Sequence, residues 1–186
     1  MIYFDTSYLV RLYYEDAGAA AVRSLAATDN IACASHGQVE MIAAFHRKLR
    51  ERAIRPVAYT ALLGQVRAHN EAGAFQWLAQ GPEIFARIAR VYAKLPASAY
   101  LRAADAIHLA TAAEAGFQFV YSNDAYLLAA ATHFRHRGKG LSSFALPALF
   151  PIASLGFPNS TPCTQSPIRL FQNRQVGVLL GKFQGE

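Results

Sequence analysis

Short apolar runs alternate along the chain with longer stretches in which apolar residues recur every three or four positions. Ile2 to Phe4 and Ile31 to Ala34 are short, uninterrupted runs bounded by polar residues, the pattern of strands buried on both faces. Phe117 to Tyr121 is aromatic and β-branched and reads as another strand, while Phe75 to Leu78 is open between a strand and a helical turn. A last edge strand is expected over Leu141 to Leu146. Helical patterns fill the intervals. Leu9, Leu12 and Tyr13 share a face over Tyr8 to Tyr14, with Thr6 or Ser7 as cap, and a second helix runs to about Ala27. Gln38 to Arg52 is helical, with Val39, Ile42, Ala43 and His46 on one side and Glu40 on an adjacent stripe. Pro56 and Pro82 open helices that run to about His69 and Leu95. Leu101 to Ala115 ends at Gly116 as a helix before a C′ glycine does, and Asp124 to Ala131 is a last helix.

Strands alternating with helices predict an α/β fold, a parallel sheet covered on both faces. In such folds ligands collect beyond the carboxyl ends of the strands. Asp5 lies at one such end and Asp124 just past another. The pattern stops near Pro147. The stretch from Ala145 to Pro167 holds five prolines in 23 residues, which excludes a long helix or a central strand. The reading is a domain over residues 1–147 and a proline-rich extension over 148–186, in which Gln175 to Leu180 suits one short strand.

Composition narrows the picture a little. Apolar residues make up 53 % of the 186, enough for a substantial core. The formal charge of +6 suits a polyanionic partner without choosing between RNA and DNA. Cys33 and Cys163 form no metal-spacing motif. The chain enters an apolar strand with no basic leader, and no apolar stretch approaches the roughly 20 residues that span a bilayer. A cytoplasmic protein with no membrane contact is the expectation.

Four acidic residues far apart in the chain carry the candidate chemistry: Asp5, Glu40, Asp105 and Asp124. Brought together, they repel one another unless a cation or protons compensate, and a site for Mg²⁺ or Mn²⁺ is the simplest compensation. Each also has a plainer reading. Asp5 and Asp124 can be helix caps, Asp105 can answer the helix dipole, and Glu40 can be a solvated helix residue. Asp105 sits in the nearly apolar run AADAIHLATAA, where a carboxylate is costly unless it faces water or a cation. Thr6, Ser7, Ser122 and Asn123 stand beside these acids as residues that can orient a carboxylate or a bound water. His108 shares the face of Asp105 as a packed histidine or a base. Arg11 and Arg102 can pair with a site carboxylate. Arg47, Lys48, Arg50, Arg52 and Arg55 are either a solvated helix end or a phosphate-contacting rim. No glycine-rich phosphate loop or HExxH is present.

The segments IYFDTSYLVRLYY, the Ser35 to Glu40 spacing, LRAADAIHLATA and VYSNDAYLLAAA together resemble the PIN domain family, and within it the VapC-like toxins of toxin–antitoxin pairs. The resemblance covers roughly residues 1–146 and implies a three-layer α/β/α sandwich. It implies that Asp5, Glu40, Asp105 and Asp124 are the metal ligands of a Mg²⁺- or Mn²⁺-dependent endoribonuclease, which hydrolyses RNA with a metal-activated water. It also implies a cognate antitoxin and a homodimer, for which Leu9, Leu12 and Tyr13 offer apolar area. The extension after residue 147 departs from the family pattern. Two other readings remain: a non-catalytic RNA-binding or regulatory module, and a structure-specific DNA nuclease.

Overall fold

The computed structural model describes residues 1–141. The expected limit at 147, the extension over 148–186 with its strand at Gln175 to Leu180, and all but the first residue of the expected strand at Leu141 to Leu146 lie outside them. Five strands, β1 (Ile2–Phe4), β2 (Ile31–Ala34), β3 (Phe75–Leu78), β4 (Phe119–Tyr121) and β5 (Arg137–Lys139), form one sheet. Its order is β3-β2-β1-β4-β5, and every pairing is parallel. Among the described residues seven helices connect the strands: α1 (Thr6–Tyr13), α2 (Ala19–Ala26), α3 (Gly37–Arg50), α4 (Pro56–Glu71), α5 (Pro82–Tyr92), α6 (Ala103–Glu114) and α7 (Ala125–Ala130). Among the described residues no helix is long and apolar enough to cross a membrane.

Pleating separates two cores. Tyr3, Ala32, Ala34 and Val120 lie in one buried cluster with Ile84 of α5, Leu109 of α6 and Leu127 of α7. On the other face the Phe4 ring packs edge-on against Tyr8 of α1 at 5.2 Å and Tyr121 of β4 at 6.0 Å. The expected three-layer α/β/α arrangement is therefore present.

Local differences from the sequence reading have local causes. Helix α1 starts at Thr6 because Asp5, not Thr6 or Ser7, is its cap, accepting from the Tyr8 amide at 3.3 Å. Strand β4 starts at Phe119 because Phe117 closes the preceding helix. Its amide reaches the Ala112 carbonyl at 3.0 Å, that of Gly116 reaches Ala113 at 3.1 Å, and Gly116 takes a φ of 77°. This is the Schellman end that glycine permits. The segment Phe75–Leu78 is a strand, paired throughout with Ile31–Ala34. The last described strand is Arg137–Lys139, whose polar composition gives no strand signal. It is an edge strand, and the Lys139 ammonium lies 3.9 Å from the Phe119 ring centre.

Leu9 and Leu12 are buried within the chain, so they offer no dimer surface. Tyr13 is likewise engaged, bonding His69 at 2.7 Å and packing on Phe45. The α1 stripe is covered by α2 and α3, the helices packed against it.

Candidate metal centre

From β1 the chain builds outward to β2 and β3, then crosses to the other side of β1 to form β4 and β5. The sheet order therefore reverses between β1 and β4, where a crevice opens beyond the strand ends. Asp5 follows β1 and Ser122 follows β4. The Ser122 hydroxyl donates to Asp5 Oδ2 at 2.8 Å, and Ser7 donates to Oδ1 at 2.7 Å. Ser122 Oγ in turn accepts from the Asp124 amide at 2.9 Å, and Ser7 Oγ accepts from the Asn123 amide at 2.9 Å. Asp5 is buried, and that burial raises its pKa despite the opposing charge of His108 and the bonds from Ser7, Ser122 and the Tyr8 amide. A carboxylate held in this way gains from a cation.

Asp105, in the first turn of α6, and Asp124, the cap of α7, are bridged by Arg102. Its Nε donates to Asp105 Oδ2 at 2.8 Å, and one terminal nitrogen bonds both Asp105 Oδ1, at 3.2 Å, and Asp124 Oδ2. These pairings hold the Arg102 pKa above its ordinary value. Asp124 also caps α7, accepting from the Tyr126 amide at 2.8 Å and that of Leu127 at 3.2 Å through Oδ1. The cap reading of Asp124 thus holds through one oxygen, while the other faces Arg102.

Glu40 is not a solvated helix residue. Its Oε2 accepts from Thr6 Oγ1 at 2.5 Å and from His108 Nε2 at 2.8 Å, with His36 Nε2 at 3.6 Å. His108 is buried, and its Nδ1 meets the Tyr3 hydroxyl at 3.0 Å. Burial opposes a charge on His108, but Tyr3, Cys33 and Glu40 outweigh it and raise its pKa. Burial alone would raise the Glu40 pKa. His108, Thr6 and His36 reverse that and bring it to about 2. Burial, then the neighbouring His108, lowers His36 to about 4. Gly37 lets α3 begin this close to the strands, because a Cβ there would meet Cys33 Sγ at 2.7 Å and Thr6 Oγ1 at 3.3 Å.

Three of the four carboxylates are therefore tied into one hydrogen-bonded chain, and Glu40 belongs to a second group beside it. Asp5, Asp105 and Asp124 are linked through Ser122 and Arg102. Glu40 reaches them through Thr6, which adjoins Asp5, and through His108, one turn from Asp105. The ligand atoms that do gather within 4.8 Å are those of His36, Glu40 and His108, the one such group of three among the described residues. His36 carried no signal in isolation. Its four-residue offset from Glu40 on a helix is the clue that places both on one face.

Several neighbours depart from expectation. The Asn123 side chain bonds no acid; only its amide takes part. Arg11 bonds the Ser7 and Ala17 carbonyls, and its nearest carboxylate, Asp16, is outside the site. Arg50 closes α3 ten residues from Glu40, about 15 Å along the axis. Lys48 within it is engaged, 3.6 Å from the Tyr14 ring centre. Sequence reasoning missed Tyr100 and Tyr126, exposed rings 4.6 Å apart that flank the Arg102 and Asp124 positions in the chain.

Oxygen donors from three aspartates and a glutamate, two of them buried (Asp5 and Asp105) and two compensated by a half-exposed arginine, fit a hard divalent cation. Comparison with curated proteins gave no match. The family model described as PIN domain matches residues 2–132. That match spans the parallel sheet from β1 to β4, the crevice where its order reverses and all four acids, and by it the chain belongs to the PIN domain family.

Proposed function

We propose that this protein is a Mg²⁺- or Mn²⁺-dependent endoribonuclease of the VapC-like toxin kind, with Asp5, Asp105, Asp124 and Glu40 as its acidic set. The observation that carries the reading is buried Asp5 at the switch point of the sheet, bonded through Ser122 to the segment that bears Asp124. Held by these acids, a divalent cation would supply an activated water and shield charge on the phosphate.

The chain's own residues do the remaining work. Ser7 and Ser122 fix both oxygens of Asp5 and so set its orientation. Arg102 neutralises Asp105 and Asp124 in the free protein. Its side chain is 48 % exposed, so it can swing out when a cation arrives and bind a phosphate oxygen instead. The exposed Tyr100 and Tyr126 rings offer stacking faces for unpaired bases, which favours a single-stranded substrate. That preference supports RNA over a structured DNA duplex. The cytoplasmic setting, a cognate antitoxin that blocks the carboxylates with a basic side chain, and a homodimer formed away from buried Leu9 and Leu12 belong to the same proposal.

Purified protein incubated with total RNA and with single-stranded DNA, in Mg²⁺, Mn²⁺ or EDTA, tests it. Metal-dependent RNA cleavage lost in Asp5→Asn is expected. Cleavage that survives both EDTA and this substitution refutes it. RNA binding without cleavage under every metal indicates the non-catalytic module, and faster cleavage of DNA indicates the DNA nuclease. Co-expression with the product of the adjacent reading frame, followed by gel filtration, tests the antitoxin.

A further inference from the structure

The group at the start of α3 has a composition that the carboxylate set does not need. His36 and Glu40 are four residues apart on one helix face, and His108 reaches them from α6. The two imidazole rings lie 4.2 Å apart, inclined at 48°, over a single carboxylate. Neither His36 ring nitrogen makes a hydrogen bond of good geometry, although both are shielded from solvent. Among the described residues Glu40 Oε1 accepts no hydrogen bond, since every bond to this carboxylate falls on Oε2. Shielded nitrogens with so little to bond, Nε2 only coming within 3.6 Å of Glu40 Oε2, are a cost in the free protein. One cation can take one nitrogen from each ring together with the Glu40 carboxylate.

We propose that His36, Glu40 and His108 form a site for a late first-row transition cation, zinc above all, distinct in chemistry from the aspartate set. Two imidazoles and one carboxylate are borderline donors that suit zinc, cobalt and nickel, whereas Mg²⁺ prefers oxygen alone. The spacing agrees. Ligands about 2.1 Å from a tetrahedral zinc stand roughly 3.4 Å from one another. His36 Nε2 and Glu40 Oε2 are already 3.6 Å apart, and the 2.8 Å contact of His108 with Glu40 need only open slightly as the cation replaces the proton between them. The partner that orients a metal-binding histidine is also in place. The Tyr3 hydroxyl meets His108 Nδ1 and is itself fixed by the Ala34 amide at 3.2 Å. Three protein ligands leave a position for water, so the site is open rather than closed.

The inference goes beyond the nuclease reading; the two share Glu40, but the test uses no nucleic acid and does not depend on cleavage. The full chain, freed of metal, is titrated with Co²⁺ and followed by visible absorption, then by displacement with Zn²⁺. One Co²⁺ per chain with the strong absorption of four-coordinate cobalt is expected, displaced by Zn²⁺ and not by excess Mg²⁺. Loss of an orienting partner weakens metal sites about 10–100-fold, so loss of a direct ligand in His36→Gln weakens Co²⁺ by about tenfold or more. Glu40→Gln does the same, while Asp124→Asn leaves Co²⁺ binding intact. Melting curves confirm that each variant is folded, and His36, at the surface end of the group, is the safer substitution. Equal Co²⁺ affinity in wild type and His36→Gln, or binding lost in Asp124→Asn and kept in His36→Gln, overturns the proposal.

Discussion

Replacing Arg102 with glutamine removes the one cation that holds Asp105 and Asp124 in the free protein, and two measurable quantities then move in opposite directions. Arg102 grips Asp105 with two nitrogens, at 2.8 and 3.2 Å, and touches Asp124 with one of them. An exposed ion pair contributes about 0.2–1 kcal/mol. The Arg102 side chain is 48 % exposed, which keeps each pair in that range, but Asp105 is 9 % exposed and gripped by two bonds, which places it at the upper end. The two pairs together are worth about 1–2 kcal/mol. In Arg102→Gln that amount disappears from the metal-free protein. At about 2–4 °C per kcal/mol for a chain of this size, its melting temperature in EDTA falls by several degrees. A divalent cation no longer displaces or tolerates a neighbouring positive charge, so its affinity rises about five- to thirtyfold. Titration calorimetry with Mn²⁺ and melting curves with and without metal measure both. An affinity that is unchanged or weaker in the variant refutes the competition argument. If Arg102 also grips the phosphate, RNA cleavage falls even though metal binds more tightly, which separates the two roles.

Acid lability follows from the group around Glu40. Holding His36 near 4 instead of 6.5 favours the neutral ring in the folded state, so its contribution is complete above pH 6.5 and lost as pH falls towards 4; Glu40, held near 2 instead of 4.5, loses its contribution between 4.5 and 2. His108, raised, acts in the opposite sense and loses its contribution as pH rises through its folded value. Denaturant titrations in EDTA should show stability falling from pH 6.5 to 4 by up to about 1.4 kcal/mol per pH unit, and His36→Gln should flatten that slope; an unchanged slope in the variant counts against the assignment. Gly37→Ala should destabilise by about 1–3 kcal/mol. The helix propensity gained, at most about 1 kcal/mol, is smaller than the cost of the 2.7 Å clash with Cys33 Sγ, and Cys33→Ala in the same chain should restore most of the loss in a urea melt. Leu109→Ala, fully buried between α6 and the sheet, should cost about 2–5 kcal/mol in the same assay.

What the chain discloses locally and what it withholds follows from the range of the forces involved. The runs at Ile2 to Phe4 and Ile31 to Ala34 announce buried strands because burial on both faces leaves no polar alternation. The α6 pattern ends where Gly116 demands it. By contrast Arg137–Lys139 becomes a strand only because the open edge of β4 accepts it, and nothing in its own residues favours one. The stripe of Leu9 and Leu12 defines a face, but periodicity does not name what covers that face; here it is the chain itself. Asp5 and Asp124 fit both a cap and a ligand, because a carboxylate has two oxygens and a helix needs only one. The gathering of His36 and His108 on Glu40 spans 72 residues and appears only once α3 and α6 are packed.

The strand order carries a consequence for how the protein is made. Strand β1 is central in the sheet, yet one neighbour, β4, begins at Phe119, and the Asp5–Ser122 bond joins positions 117 residues apart. Loop closure over such a span comes late, since entropy is spent before the contact rewards it. During synthesis the N-terminal β1–β2–β3 part of the sheet can form while the chain lacks the other wall of the crevice. Asp5 then has no Ser122, and Asp105 has no Asp124 or α7 beside it. A nascent chain stalled before β4 therefore carries three of the four acids and no assembled centre. The timing of translation itself keeps the four acids from being brought together until nearly all of the described domain has been synthesised.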